Sequence, residues 1–289
     1  MYNTPISSKY RNFINILTTW LLLMLANCTY SGKELSIPIV GSGGKNTRVN
    51  EVIVFLGNPG AGRSSLLNSI FQKPIFRSGT SAGTGLTRRV ECHLYEDKLY
   101  VDTPGLDDIE LKYQAASEIE KALKHNNNYK IVFVATLESG RIRPADLITI
   151  NTVCDAIKTN FEYGLIINKA TEESIEAVNK VRGIVEFLKG KLNKQPLGIL
   201  TLNFDGSIHD EKDRYFSKES PNREKLVSFI NQLAAKKIDQ ANVAKLDVRE
   251  DEEKIEEMEK KYQEELEPLR NQLKFLQAEQ KTLEQQPTE

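Results

Sequence analysis

A chain of 289 residues with 39 % apolar side chains can build one sizeable domain, and that apolar share is low enough to imply a polar appendage. Lysine plus arginine is 39 against 40 aspartates and glutamates, a net charge of −1, so no overall basic field draws the chain to nucleic acid. The three cysteines, Cys28, Cys92 and Cys154, are far apart and lack any paired-cysteine or cysteine–histidine spacing, which supports neither a disulfide framework nor a zinc site.

Lys9 and Arg11 precede a largely apolar stretch from Phe13 to Ala26. It is too short to span a bilayer comfortably and suits the core of a signal peptide. It ends in Leu25–Ala26–Asn27–Cys28, which resembles a bacterial lipoprotein box whose cysteine is lipidated after cleavage, although Asn27 stands where a small residue is usual. Residues 1–28 therefore read as a leader: an ordinary signal peptide, a lipoprotein leader modified at Cys28, or an uncleaved anchor. An exported or membrane-associated protein is expected. Gly41–Ser42–Gly43–Gly44 gives residues 29–49 linker composition.

From Glu51 the pattern becomes that of an alternating α/β domain over 50–235. The sequence predicts strands at Val52–Leu56, Val90–Tyr95, Leu99–Asp102, Lys130–Thr136, Tyr163–Asn168 and Leu197–Leu202. It predicts helices at Ser64–Phe71, Tyr113–Lys124, Pro144–Thr159, Glu172–Leu188 and Arg223–Ala235. Such alternation implies a three-layer fold, a mostly parallel sheet covered on both faces, with ligands bound beyond the carboxyl ends of its strands. From about Lys236 the tail, 236–289, is charged and helical in pattern. Ile255, Tyr262, Leu269, Leu276 and Leu283 recur every seven residues, with Leu266 and Leu273 in a second seam. A self-associating or partner-binding coiled coil and an amphipathic helix folded back on the body both fit, and Pro268 should kink or break either one.

Between the first strand and the first helix lies Gly57–Asn58–Pro59–Gly60–Ala61–Gly62–Arg63–Ser64–Ser65. This is a phosphate-binding P-loop with arginine in the lysine position. Its glycines let successive N–H groups point inward at phosphate oxygens, and the helix N-terminus adds a positive dipole end. Ser64 is placed to hold Mg2+. Arg63 still pairs with phosphate, but a planar guanidinium does not replace a compact ammonium, so binding is expected to survive better than hydrolysis.

Asp102–Thr103–Pro104–Gly105 closes a later strand. In P-loop GTPases such a box reaches the metal through its aspartate, usually by way of water, and the γ-phosphate through the glycine N–H, here Gly105. In the intervening loop Ser78–Arg89, Thr87 is the expected switch threonine on the metal, with Thr84 as the alternative. Leu106 stands where many small GTPases carry a water-orienting glutamine, so slow hydrolysis is expected. Asn168–Lys169–Ala170–Thr171 matches the guanine-reading box N/T-K-x-D at Asn168 and Lys169, with Thr171 in place of the aspartate. Glu172 or Glu173 could substitute for it.

These boxes, together with Ser81–Ala82–Gly83 and Gly140–Arg141–Ile142–Arg143–Pro144–Ala145–Asp146, resemble the septin-like branch of GTPases over roughly 51–235. Within that branch they are most similar to the AIG-type or GIMAP group, related to the chloroplast import-receptor GTPases. Leu86–Thr87–Arg88–Arg89 is also similar to dynamin-type GTPases. The resemblance implies GTP and Mg2+ as cofactors and nucleotide-dependent homodimerisation across the G domains, often at a membrane surface. It also implies that Arg141 acts on the partner's phosphates, with Arg143 the near alternative. Family members commonly carry a hydrophobic C-terminal anchor, whereas here the apolar segment is at the other end. The leading expectation is a GTP-binding, slowly hydrolysing switch. A non-hydrolysing nucleotide-bound scaffold and an ATP-directed NTPase are the alternatives.

Overall fold

The computed structural model describes residues 49–78, 87, 89–106, 112–124, 128–138, 141–181, 183–204 and 215–284. The leader, Cys28, nearly all of the linker, Thr84 and Gly140 lie outside the described residues.

The first strand, β1 (Glu51–Gly57), is a run of branched and aromatic side chains buried on both faces, as an interior parallel strand requires. The helix α1 (Arg63–Phe71) follows it, then the antiparallel pair β2 (Glu91–Tyr95) and β3 (Lys98–Asp102) and the helix α2 (Lys112–Leu123). Next come β4 (Asn128–Glu138), the short β5 (Arg141–Ile142) folded back on its end, α3 (Pro144–Ala156) and β6 (Tyr163–Ala170). The helices α4 (Glu172–Val181) and α5 (Ile184–Leu188), the strand β7 (Gly198–Asn203) and α6 (Pro221–Gln232) complete the alternation. The sheet order is β2-β3-β1-β4-β6-β7, and every neighbouring pair except β2–β3 is parallel. The carboxyl ends Gly57, Asp102, Ala170 and Asn203 therefore come out along one edge.

Alternation along the strands divides the core. Ile53, Phe55, Val132, Val134 and Ile166 face Leu66 and Leu67 of α1 and Leu226 and Ile230 of α6, all in one buried cluster. Helix α2 is tied to the sheet where the Tyr129 hydroxyl donates to the Ala122 carbonyl, 3.1 Å. The Phe133 and Tyr163 rings meet edge to face at 5.1 Å.

Two predicted elements differ, the helix over 172–188 and the tail. The single helix expected over Glu172–Leu188 is two, because Gly183 adopts φ +74°, a left-handed conformation that ends helical continuity. The tail is not helical from Lys236. Its strand β8 (Lys236–Lys237) pairs antiparallel with Asn128 and Tyr129 of β4, and a 3-10 turn follows at Gln240–Asn242. Ile238, Val243, Leu246 and Val248 are buried, so apolar burial pins this stretch to the body in extended form. The helix α7 (Asp251–Glu284) begins only afterwards and continues through Pro268. Proline there removes one N–H from the ladder, and the bonds on either side carry the helix past it.

The first turns of α7 pack back on the body. Thr152 Oγ1 on α3 donates to Asp251 Oδ1 at 3.3 Å, Lys112 Nζ on α2 meets Glu252 Oε1 at 2.5 Å, and Tyr262 is buried. The side chains of Leu266, Leu269, Leu273, Leu276 and Leu283 lie outside the described residues. Among the described residues no helix is long and apolar enough to cross a membrane.

Candidate functional site

The loop between β1 and α1 sits at the shared carboxyl edge of the sheet. Gly62 is the N-cap of α1 at φ +95°, a cap without a side-chain hydrogen bond, and the first turn of α1 carries no acidic residue. The positive end of the helix is therefore not offset locally, which favours an anion. A Cβ on Gly62 would lie 2.4 Å from Asn168 Nδ2, and one on Gly105 would lie 2.3 Å from Pro59 Cδ. Gly62 leaves room for the Asn168 side chain at a positive φ, and Gly105 leaves room for the Pro59 ring and the backbone of Asn58 and Pro59.

Asn58 is fully buried and fixes the start of the loop. Its Nδ2 donates to Asp146 Oδ1 at 3.0 Å, and its Oδ1 accepts from Thr149 Oγ1 at 2.8 Å. Asp146, in the first turn of α3, also accepts from the Thr136 N–H at 3.0 Å and from Arg143 Nη2 at 2.9 Å. One carboxylate thus joins β4, α3, Arg143 and the phosphate loop. In the sequence, Asp146 stands inside the Gly140–Asp146 segment with nothing to mark this role. An acidic residue in the first turn after a proline at N1 was the available signal, and it pointed only to helix entry.

On the other side of the loop, Asp102 gathers the predicted metal residues. Ser64 Oγ donates to Asp102 Oδ2 at 2.5 Å and Thr87 Oγ1 to the same oxygen at 3.4 Å. Arg63 is buried, with Nε 3.9 Å from Asp102 Oδ1 and Nη1 donating to Thr103 Oγ1 at 3.5 Å. Thr103 Oγ1 in turn donates to the Phe55 carbonyl at 2.9 Å. Burial pushes the Asp102 carboxyl up, opposed first by the Arg63 guanidinium and then by the Ser64 hydroxyl. Burial likewise lowers Arg63, opposed by Asp102.

Asp102 Oδ1 is buried and accepts no hydrogen bond. An oxygen of that kind, beside two hydroxyls, is a hard-donor arrangement suited to Mg2+. No group of three or more His, Cys, Asp or Glu among the described residues could hold a metal. A divalent ion here would therefore take the rest of its shell from hydroxyls, water and phosphate.

Asn168 Nδ2 donates to the Ala61 carbonyl and Lys169 Nζ to the Gly60 carbonyl, each at 2.8 Å, so both residues clamp the loop from β6. Lys169 sits at φ +58°, and its ammonium is lowered by burial and then by Arg143. Leu106 is buried, in a gap lined also by Ile148 of α3 and Ile255 of α7. Arg141 does not turn toward the loop. Its Nη1 donates to the Tyr262 carbonyl at 2.8 Å and its guanidinium lies 4.9 Å from the centre of the Tyr262 ring. Arg143, by contrast, is bound to the loop's own anchor, Asp146. The structure thus brings together Gly57–Ser65, Thr87, Asp102, Gly105, Asn168 and Lys169, and it places Arg141 against α7.

A model of the AIG1 family matches residues 51–263. The "Probable GTP-binding protein EngB" of Mycoplasma genitalium is 26% identical over 146 residues, covering 49% of this chain and 74% of that protein. "GTPase Era" of Ureaplasma parvum is 27% identical over 142 residues, covering 48% of this chain and 45% of that protein. Among solved structures, Toc33 from Arabidopsis thaliana in complex with GDP and Mg2+ superposes with a TM-score of 0.43 at 16% identity, covering 66% of this chain and 88% of that one.

Proposed function

We propose, from the premise that the chain belongs to the AIG1 family, that it binds GTP with Mg2+ in its phosphate loop and hydrolyses it slowly, as a switch that dimerises through its nucleotide face at a membrane. The observation that carries this reading is the convergence of Ser64 and Thr87 on the single buried carboxylate of Asp102, beside a helix N-terminus with no side-chain cap.

The loop N–H groups from Gly60 to Ser65 receive the phosphates, Arg63 supplies a cation to them, and the Gly105 N–H meets the γ-phosphate. Ser64 and Thr87 would hold Mg2+ directly and Asp102 would hold it through water. Bound there, the ion would supply neutralisation of the charge on the terminal phosphates. Slow turnover follows from two side chains. Leu106 is buried and has no group to orient water, and Arg63 is turned toward Asp102 and Thr103. Arg141 supplies charge to the partner's phosphates in the dimer, which requires the guanidinium to leave Tyr262. The leader, with or without a lipid on Cys28, brings the protein to the membrane.

Titration of the chain with a fluorescent GTP analogue tests the core of this reading. Binding that needs Mg2+, and that loses its metal dependence in Asp102→Asn, supports it; no affinity for any nucleotide overturns it. Arg63→Lys should raise phosphate release while leaving GTP affinity within about threefold. Sedimentation with a non-hydrolysable GTP analogue should show a dimer, and Arg141→Ala should lower hydrolysis more than binding. Mass spectrometry of the mature N-terminus decides the fate of Cys28.

The burial of Leu106 and Arg63 also favours a second reading, a nucleotide-bound scaffold without turnover. Nucleotide retained for hours with no free phosphate would select it. Competition of GTP against ATP separates both from an ATP-directed NTPase.

A further inference from the structure

The corner of the site where a base would lie holds a side chain that the phosphate chemistry does not use. Asn168 and Lys169 are committed to the Ala61 and Gly60 carbonyls, so their polar ends serve the loop. Thr171 stands at the position from which the matching box would present a carboxylate to guanine. Its hydroxyl is already engaged. Thr171 Oγ1 accepts the Ser174 N–H at 3.1 Å, while Ser174 Oγ accepts the Thr171 N–H at 3.0 Å and donates to the Thr171 carbonyl at 2.8 Å. The Ile175 N–H bonds the same carbonyl at 3.0 Å. This is a reciprocal cap on α4, with Thr171 as the N-cap residue.

The chemistry of the two groups differs in kind. Guanine presents two neighbouring donors, N1–H and the 2-amino group, and a carboxylate is an acceptor with two oxygens to receive both. A hydroxyl is one atom, and here one of its lone pairs is spent on Ser174. It has at most one acceptor position left and also a proton to donate, so it pairs with a ring N–H or with an unprotonated ring nitrogen. It has no second acceptor with which to register the 2-amino group. Phe204 lies alongside: its N–H donates to the Ala170 carbonyl at 2.8 Å and its side chain is half-exposed. Stacking on an aromatic ring such as that of Phe204 would not tell one purine from another, because every purine offers a face.

We infer that the nucleotide site of this chain does not discriminate the purine 2-amino group: Thr171 caps α4 instead of reading the base, and GTP and ITP bind alike. This rests on the proposed function, since it concerns the base carried by the same phosphate loop. Inosine differs from guanosine only in lacking the 2-amino group, so ITP isolates the contact in question.

The test uses the full chain with Mg2+ and a ribose-labelled fluorescent GDP, displaced by GTP, ITP or ATP. GTP and ITP should displace it within about threefold of each other. Thr171→Asp should introduce a preference for GTP over ITP on the order of ten- to a hundredfold, the worth of hydrogen bonds to a charged acceptor. Aspartate is as good an N-cap as threonine, so this variant keeps α4 intact. Thr171→Ala should lower the melting temperature through the lost cap and leave the GTP/ITP ratio unchanged.

A tenfold or greater preference for GTP in the natural chain overturns the inference. Glu172→Gln and Glu173→Gln would then show which first-turn carboxylate reads the base. A Thr171→Asp variant that folds but still binds both nucleotides equally overturns the assignment of residue 171 to the base. Failure of the fluorescent GDP itself to bind overturns the phosphate-loop reading instead, and that result is distinct from either of the others.

Discussion

At the scale of single residues, Asp146 shows how a phosphate loop with few side chains is held in shape. Its two oxygens receive Asn58, Thr136 and Arg143, so the loop's first side chain is tied to α3 through a buried carboxylate. Asp146→Ala would remove the oxygens that accept from the Thr136 N–H and Asn58 Nδ2, and with them the carboxylate 2.9 Å from Arg143 Nη2. Breaking a buried, hydrogen-bonded pair of this sort costs about 3–5 kcal/mol. The expected result is a fall of that size in chemical denaturation, with GTP affinity dropping by more than the stability loss explains, because the loop moves as well.

Gly62 makes a second prediction at the same scale. Alanine there would be strained at φ +95° and would push its Cβ to within 2.4 Å of Asn168 Nδ2. Strain at such a position is about 1–3 kcal/mol. The displaced Asn168 also releases the Ala61 carbonyl, so Gly62→Ala should lose nucleotide binding in the titration while still folding. The need for glycine at 62 was legible in the sequence, because the loop pattern sets it by backbone angle. The role of Asp146 was not, because it depends on α3 returning to the carboxyl edge of the sheet, a long-range arrangement that spacing does not encode.

At the scale of elements, the strands and the order of the alternation were legible because each strand is a short apolar run with turn residues on either side. What was missed lies where local pattern and tertiary burial disagree. Residues 172–188 have helical composition throughout, yet one glycine at a left-handed angle divides them. Residues 236–250 look polar, yet four apolar side chains in them are buried against the body and hold them extended. The start of α7 follows the same logic. Its anchors are Asp251, Glu252 and Tyr262, and the last of these engages Arg141 through both carbonyl and ring. The ring also lies 5.9 Å from Phe187 of α5, and Lys191 Nζ is 5.0 Å from its centre. Truncating a buried aromatic costs about 3–5 kcal/mol where its neighbours cannot close in. In Tyr262→Ala that loss should fall on the docking of α7 rather than on the sheet. Hydrogen exchange should show residues 251–262 opening faster, with β1, β4 and β6 unchanged. Equal loss of protection in the strands would mean that α7 belongs to the cooperative core.

At the scale of the whole molecule, the site lies at an edge to which β1, β3, β6 and α1 all contribute, so a bound nucleotide links elements far apart in the chain. A ligand that binds only the folded form stabilises it by RT ln(1 + [L]/Kd), about 2.7 kcal/mol at a hundredfold excess over Kd. For a body of this size that is a rise on the order of 5–10 °C in melting temperature. The rise should need both GTP and Mg2+, because the buried Asp102 carboxylate has an oxygen that no protein donor satisfies and a metal hydrate would satisfy it. Chelation should therefore remove most of the gain even with GTP in excess. Ser64→Ala should remove it as well without lowering the stability of the nucleotide-free chain by more than about 1 kcal/mol, the worth of one hydrogen bond. A gain that survives chelation would place the phosphate charge on Arg63 and the loop amides alone, and Asp102 would then serve the arginine rather than a metal.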